Sequence, residues 1–147
     1  MKTYLPNIDE LHKNRKWHLI DLKGLTLGRA AIKVADILRG KDKPIFAPHL
    51  DTGDYVIAIN ASHVKVTGKK EENMEYFRYS GYPGGLKKVS FRKMMDTNSP
   101  GVFTHAVKGM LPKNKLGRKM IKKLHVYADE NHPHQAQKPE DLKLFES

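Results

Sequence analysis

No cysteine occurs among the 147 residues, which excludes disulfides, Cys-ligated zinc, thiol catalysis and iron–sulfur clusters. Long apolar runs are missing too: Lys or Arg interrupts every candidate before the roughly 18 residues that a membrane span needs. Residues Met1 to Leu11 hold no apolar core and carry Asp9 and Glu10, so no secretory signal or transit peptide is expected there. Carboxylates are scarce beside cations, 16 against 27, leaving a formal charge of +11. These shortages predict a soluble intracellular protein with a cationic surface. Such a surplus costs self-repulsion in the folded state and is tolerated where a polyanion cancels it. Nucleic acid is the leading partner on charge alone.

What is present refines that expectation. A chain of this length buries roughly 68–70% of its unfolded surface, enough for one domain with an ordinary core. Residues 13–50 are net +6, residues 78–96 net +4, and residues 97–128 net +7 with seven cations and no carboxylate. A solvated face mixes signs, as residues 51–77 do; a stretch without acids reads as a surface for phosphates. The tail from residue 129 is net −3.

The periodicity predicts alternating strands and helices. Residues 1–16, with Pro6 and scattered charges, read as an extended arm. Trp17 to Leu22 suits a buried strand. Thr26 can cap a helix with apolar positions Leu27, Ala30, Ala31, Val34, Ile37 and Leu38, stopping at Gly40. Residues 41–54, with Pro44, Pro48 and Gly53, form a loop. Tyr55 to Asn60 fits a central strand covered on both faces. Val64 to Thr67 reads as a shorter strand, and Glu75–Tyr79 and Leu86–Ser90 as extended segments around the turn-rich Ser80 to Gly85. Helices are expected over Phe91–Thr97, Val102–Leu111 and about Asn114–Lys123. In the last of these Leu116, Met120, Ile121 and Leu124 point inward and Arg118, Lys119, Lys122 and Lys123 outward. His125 to Tyr127 can return as a strand, and residues from Asn131 read as a tail. The expected architecture is an α/β layer fold with a mainly parallel sheet.

Several motifs invite chemistry and carry little of it. Asp51-Thr52-Gly53 is the triplet of aspartic proteases, but that reaction needs two carboxylates sharing a proton, and no second such triplet exists. A turn with Asx-type hydrogen bonds is the stronger reading. Gly24 to Arg29 sits between strand and helix but lacks dinucleotide and P-loop spacing; its helix N-terminus with Arg29 can hold one phosphate of a polymer. His105, His125, His132 and His134 match no zinc spacing. Met94, Met95, Met110 and Met120 fall at helical positions and read as core filler. Arg78 to Lys88 interleaves aromatic, glycine and cation, so backbone can approach a phosphate while Tyr stacks on a base.

A set of blocks then appears in order: Trp17 to Asp21, Leu27-Gly28-Arg29, Leu38-Arg39-Gly40-Lys41, Asp51 to Val56, Asn60-Ala61, Thr67-Gly68-Lys69-Lys70, Gly81 to Gly85, Ala106 to Pro112, Leu116-Gly117-Arg118 and His132-Pro133-His134. Together, from about Trp17 to Pro139, they resemble the bacterial-type large-subunit ribosomal protein L-thirteen family. That resemblance implies a three-layer α/β/α domain with a mainly parallel central sheet; together with the residue pattern it divides the chain into an extended N-terminal arm (residues 1–14), which the resemblance does not reach, an α/β rRNA-binding domain (residues 15–128) and a C-terminal tail (residues 129–147). It also implies a structural, non-enzymatic constituent of the large ribosomal subunit, in bacterial cytoplasm or an organelle of bacterial descent, that binds 23S-type rRNA and supports early assembly. The implied partners are large-subunit rRNA, neighbouring ribosomal proteins and the protein's own messenger, with no membrane, small-molecule substrate, cofactor or metal. The chain departs from the family pattern at Tyr79-Ser80, where a His commonly stands before the Gly-Tyr-Pro-Gly-Gly block, at Asp129-Glu130-Asn131, and at Ala30.

From charge, turn chemistry and this resemblance, the expected RNA-binding residues are Arg29, Lys41, Lys69, Lys70, Lys87, Lys108, Lys113, Lys115, Arg118, Lys119, Lys122 and Lys123 for phosphates. Tyr82, Gly84 and Gly85 bring backbone close, and His132 and His134 add polar contacts. Two other classes stay open on residues alone. One is an α/β enzyme for a phosphorylated small molecule, using Gly24 to Arg29 with Asp51 and Asp54. The other is a DNA-binding regulator using the 114–123 helix, although the helix-turn-helix pattern is missing.

Overall fold

The computed structural model describes residues 7–68 and 70–144. In chain order the elements are α1 (Ile8–Lys13), β1 (Trp17–Asp21), α2 (Leu27–Arg39), β2 (Tyr55–Ile59), α3 (Lys70–Asn73), β3 (Glu75–Tyr79), β4 (Leu86–Ser90), α4 (Phe91–Met110), α5 (Lys115–Ile121), β5 (Leu124–Val126) and β6 (Glu140–Asp141). Four strands form a parallel sheet in the order β5-β2-β1-β6, and β3 and β4 form a separate antiparallel hairpin. The fold is α/β with a parallel sheet, as the alternation of periodicities predicts.

The β1-α2-β2 unit organises the core. Side chains alternate across a strand, so Ile20, Val56 and Ala58 face one way and join Leu27, Ala30, Val34 and Leu38 of α2 and Val102, Phe103 and Val107 of α4 in one buried cluster. Burying a Val, Leu or Ile contributes about 1.5–3 kcal/mol, whereas an N-cap bond is worth about 1 kcal/mol. Packing therefore holds α2, whose Thr26 occupies the cap position without making a side-chain bond. Gly40 ends the helix in the left-handed region at φ 81°, returning its N–H to Asp36 and Ile37, a conformation that favours glycine. On the opposite face of the sheet, Trp17 stacks on Tyr55 with centroids 4.3 Å apart and an interplanar angle of 7°.

α4 carries a kink where the sequence predicts two helices. Asn98 leaves helical geometry (φ −152°, ψ 69°) two residues before Pro100, and its Oδ1 accepts from the Gly101 N–H at 3.2 Å, starting the second half afresh. α5 is capped by Asn114, whose Oδ1 accepts from the Gly117 N–H at 2.9 Å.

Three local expectations are corrected. Within the arm, Ile8–Lys13 is helical rather than extended: Asn7 caps it, Asp9 and Glu10 occupy its first turn, His12 and Lys13 its last, and Leu11 is buried. Those charges complement the helix dipole. Val64 to Thr67 is not a strand; only Lys65 bridges to Thr26, because its neighbour is the short connection between β1 and α2 and offers no ladder to extend. The tail contributes β6, where Glu140 and Asp141 pair with His18 and Leu19. Two charged residues carry no periodicity, so sequence patterning cannot reveal them.

Residues 51–54 dock against the C-terminal end of α2. A Cβ on Gly53 would lie 1.9 Å from the Leu38 carbonyl oxygen and 2.6 Å from that of Ile37, backbone atoms that cannot step aside. Overpacking typically costs 1–3 kcal/mol, and here the clash is with a helix terminus. Gly53→Ala is expected to lose at least about 3 kcal/mol in urea denaturation; a loss under about 1 kcal/mol would show that the loop does not depend on this approach.

Candidate nucleic-acid interface

The exposed cations gather in three places. The first is the end of α4 with α5: Lys108, Lys113 and Arg118 line one cleft of about 210 Å³ together with Leu111, Pro112 and Ile121. The second is the other flank of α5, where Lys119 and Lys122 line a cleft of about 470 Å³ shared with α1. Lys115 is exposed on the same helix. The third is the β3–β4 hairpin with its tip. Arg29 at the start of α2, Lys41 after its end and Lys70 in α3 are exposed and line none of these clefts. Among the described residues none of these side chains makes an ion pair. Lys69 lies outside the described residues.

The hairpin adds a feature that charge counting misses. Pairing of Phe77 with Lys88 and of Tyr79 with Leu86 places these side chains on one face, while Tyr76 and Val89 turn to the other. The inward Tyr76 meets His105 of α4 edge-on at 5.1 Å, and burial pushes its hydroxyl pKa up. The outward face is left to solvent: Phe77, Tyr79 and Leu86 are 62, 63 and 54% exposed, and Tyr82 at the tip is 75% exposed. Lys88 Nζ sits 5.8 Å from the Phe77 ring centre, within cation–π range. Exposed aromatics framed by cations form a surface on which bases can stack while ammonium groups meet phosphates. At the tip, Gly85 donates to the Tyr82 carbonyl at 2.9 Å, and the Ser80 N–H donates to Gly85 at 3.1 Å. Tyr82, Gly84 and Gly85 thus lie together at the tip. Alternation around Tyr76 groups Phe77, Tyr79 and Leu86 on one face, but only the coordinates show that this face is uncovered.

Lys123 is the correction within the expected set. It is 4% exposed, donates to the Leu38 carbonyl at 2.9 Å and pairs with Asp51. α5 ends at Ile121 with Lys122 as its cap; beyond that point the helical spacing no longer applies, and the chain turns inward to β5. Burial pulls the Lys123 pKa down, against the hydrogen bond and charge of Asp51.

The histidines cluster without making a metal site; no group of three or more potential ligands occurs among the described residues. His134 lies against Trp17 at 5.5 Å and His125 at 4.6 Å, and its Nε2 shares a 2.6 Å hydrogen bond with the Tyr127 hydroxyl. His132 Nδ1 accepts from the His134 N–H at 3.2 Å. Burial lowers the pKa of His125 and of His134, and the neighbouring imidazole adds to it in each case. These rings pin the segment after β5 onto the sheet.

Asp51 and Asp54 are structural. Arg15 Nη2 lies 3.4 Å from the Asp51 carboxylate and donates to its carbonyl at 2.9 Å. Asp54 accepts from the Lys16 N–H at 3.1 Å, Lys43 Nζ at 2.6 Å and His18 Nε2 at 2.9 Å. Burial raises its pKa, but the His18, Lys43 and Lys16 hydrogen bonds and the Lys43 charge outweigh it and hold the group at about 2 against an ordinary 3.8. A carboxylate so held is a poor general base at neutral pH, and both acids are occupied by cations of the fold itself.

Comparison with known proteins agrees with the blocks seen in the sequence. The family described as "Ribosomal protein L13" matches residues 15–133. Proteins named "Large ribosomal subunit protein uL13" are similar over nearly the whole chain. That of Thermoanaerobacter sp. (strain X514) is 54% identical over 144 residues, covering 98% of this chain and 99% of the relative. That of Thermus thermophilus is 54% identical, covering 98% and 100%, and that of Thermobifida fusca 54% identical, covering 95% and 92%.

The Asp54 network makes a pH prediction. Because the folded pKa is depressed, its contribution is complete above about pH 4 and is lost as pH falls toward 2. Asp54→Asn is expected to cost about 2 kcal/mol at neutral pH, and the gap to the parent should close between pH 4 and 2 when unfolding is followed by urea titration. A gap that stays constant across that window contradicts the assignment.

Proposed function

The chain belongs to the ribosomal protein L13 family, and from that premise we propose that it is a structural constituent of the large subunit of a bacterial-type cytoplasmic ribosome that binds 23S-type rRNA and supports early subunit assembly. Membership in a structural ribosomal family makes it a non-enzyme. The observation that carries the rRNA reading is the distribution of ion pairs. Among the described residues, Lys43, Lys123 and Arg15 are matched to Asp51 and Asp54 inside the protein, while the cations of α5 and its flanks stand unmatched on the surface. Unmatched cations on a rigid helix release counterions when phosphates bind, and affinity then depends steeply on salt.

In this reading Lys108, Lys113, Lys115, Arg118, Lys119 and Lys122 meet one tract of RNA backbone. Lys87 and the hairpin tip at Tyr82, Gly84 and Gly85 meet another, and Arg29, Lys41 and Lys70 add separate phosphate contacts. Specificity comes from the shape of folded RNA and from splayed bases, because the major groove of A-form RNA is too narrow to read. The Phe77, Tyr79 and Leu86 face supplies the surface for such bases. The protein's own messenger and neighbouring ribosomal proteins are further partners of the same kind of surface.

Filter binding of the protein to a large-subunit rRNA transcript across a salt series separates the two contributions. Replacing Arg118, Lys119 and Lys122 by Ala is expected to flatten the log–log salt slope by roughly two to three units; an unchanged slope removes α5 from the interface. Phe77→Ala with Tyr82→Ala is expected to weaken binding by about 1–3 kcal/mol for each lost stack at an unaltered slope. A full-strength complex from this double variant takes the hairpin out of base recognition.

A further inference from the structure

The cleft between α1 and α5 has a lining that packing of the two helices does not require. Leu11, Leu50 and Leu116 form its apolar part, alongside Tyr55, whose ring is backed by the parallel indole of Trp17. Lys119 and Lys122 border it and are exposed, with no carboxylate partner among the described residues. The acid that lines it, Asp51, is already neutralised by Arg15 and an interior lysine. Arg15 also lines the cleft, and its side chain is only 9% exposed. Asp51 engages its Nη2, while its buried Nε has no acceptor among the described residues. A guanidinium carries five donors and Asp51 takes only Nη2, so the anchored group still offers positive charge to an anion in the cleft. Arg39 Nε is unpartnered too but does not line this cleft.

An apolar surface beside three cations suits a ligand with a flat, weakly polar body and an attached phosphate. The volume of about 470 Å³ falls in the range that encloses a small organic ligand. We propose that the cleft receives one nucleotide extruded from the bound RNA, its phosphate held by Arg15, Lys119 and Lys122 and its base lying against Leu50, Leu116 and Tyr55. This rests on the rRNA reading above. A polymer is the source rather than a free nucleotide because Lys115 and Arg118 extend the same helix surface beyond the cleft, offering sites to the flanking phosphates. Splayed bases are also the part of RNA that proteins read most readily.

Ultraviolet cross-linking of the full chain to a large-subunit rRNA transcript, followed by nuclease digestion and peptide mass spectrometry, tests the proposal. A single-nucleotide adduct is expected on the peptide holding His49 and Tyr55. Ile8→Trp, at an exposed position of α1 that lines the cleft, should block entry without changing charge. The adduct is expected to fall by about tenfold or more and rRNA affinity by about fivefold at an unchanged salt slope. Should Ile8→Trp not fold, Lys119→Glu on the exposed border is expected to abolish the same adduct. Tight rRNA binding with no adduct at this peptide, or with an adduct indifferent to both variants, overturns the cleft and leaves rRNA binding standing. No rRNA binding by the parent protein overturns the functional reading itself. An equal adduct from micromolar nucleoside monophosphates without RNA overturns the polymer as the source.

Discussion

One buried ammonium group holds the architecture together. Lys123 Nζ reaches both the Leu38 carbonyl near the end of α2 and the Asp51 carboxylate. The last carbonyls of a helix lack partners within the helix and carry the negative end of its dipole, so a cation there answers an existing demand. The same terminus receives the Thr52 hydroxyl at the Arg39 carbonyl and the Asp54 N–H at the Ile37 carbonyl. Through these contacts the loop from 41 to 54, the start of β2 and the chain leaving α5 converge on one point. Remove the lysine and Asp51 is left with Arg15 alone in a largely buried setting, the circumstance in which breaking an ion pair is most damaging.

This arrangement divides the cations into two populations. Among the described residues, Arg15, Lys43 and Lys123 are matched to Asp51 and Asp54; those on α5, its flanks and the hairpin are not. Formal charge, spread over the sequence, cannot distinguish the two. Geometry can, and the distinction matters because Lys43 and Lys123, held by carboxylates, have little left to offer a phosphate. Rigidity comes from the same source. Lys123 ties the chain leaving α5 to the end of α2, and Asn114 closes the first turn of the helix, so its outward cations are presented from a fixed frame, which limits the ordering cost of binding.

Much of this was legible in the sequence. The 3- and 4-residue spacing of α2, the unbroken apolar run of β2 and the glycine at position 40 each act through local chemistry that patterns reveal. The cation-rich helix and the glycine-rich tip were also visible. Helical spacing extended past Ile121 puts Lys123 on the outer face, although the helix ends there, and the two paired residues of β6 leave no pattern. Asp51 to Asp54 reads as a turn with Asx-type hydrogen bonds, whereas the segment is irregular and its carboxylates bond to distant groups instead. Those partners lie up to 72 residues away in sequence, and such pairing is invisible without coordinates. Phe77, Tyr79 and Leu86 looked like ordinary strand residues because nothing in a strand's alternation tells whether its second face is covered.

The edge strand β6 carries a consequence for the order of events during synthesis. β1 is made early, yet one of its two neighbours, Glu140–Asp141, is made more than a hundred residues later. Until that segment leaves the exit tunnel, the backbone groups of His18 and Leu19 on that side lack their ladder partners, and an open edge is a template for pairing with other chains. Closing so long a loop is also entropically slow. The nascent chain therefore spends most of its elongation with an unsealed flank, and an anionic neighbour that collects it promptly limits the time available for mispairing.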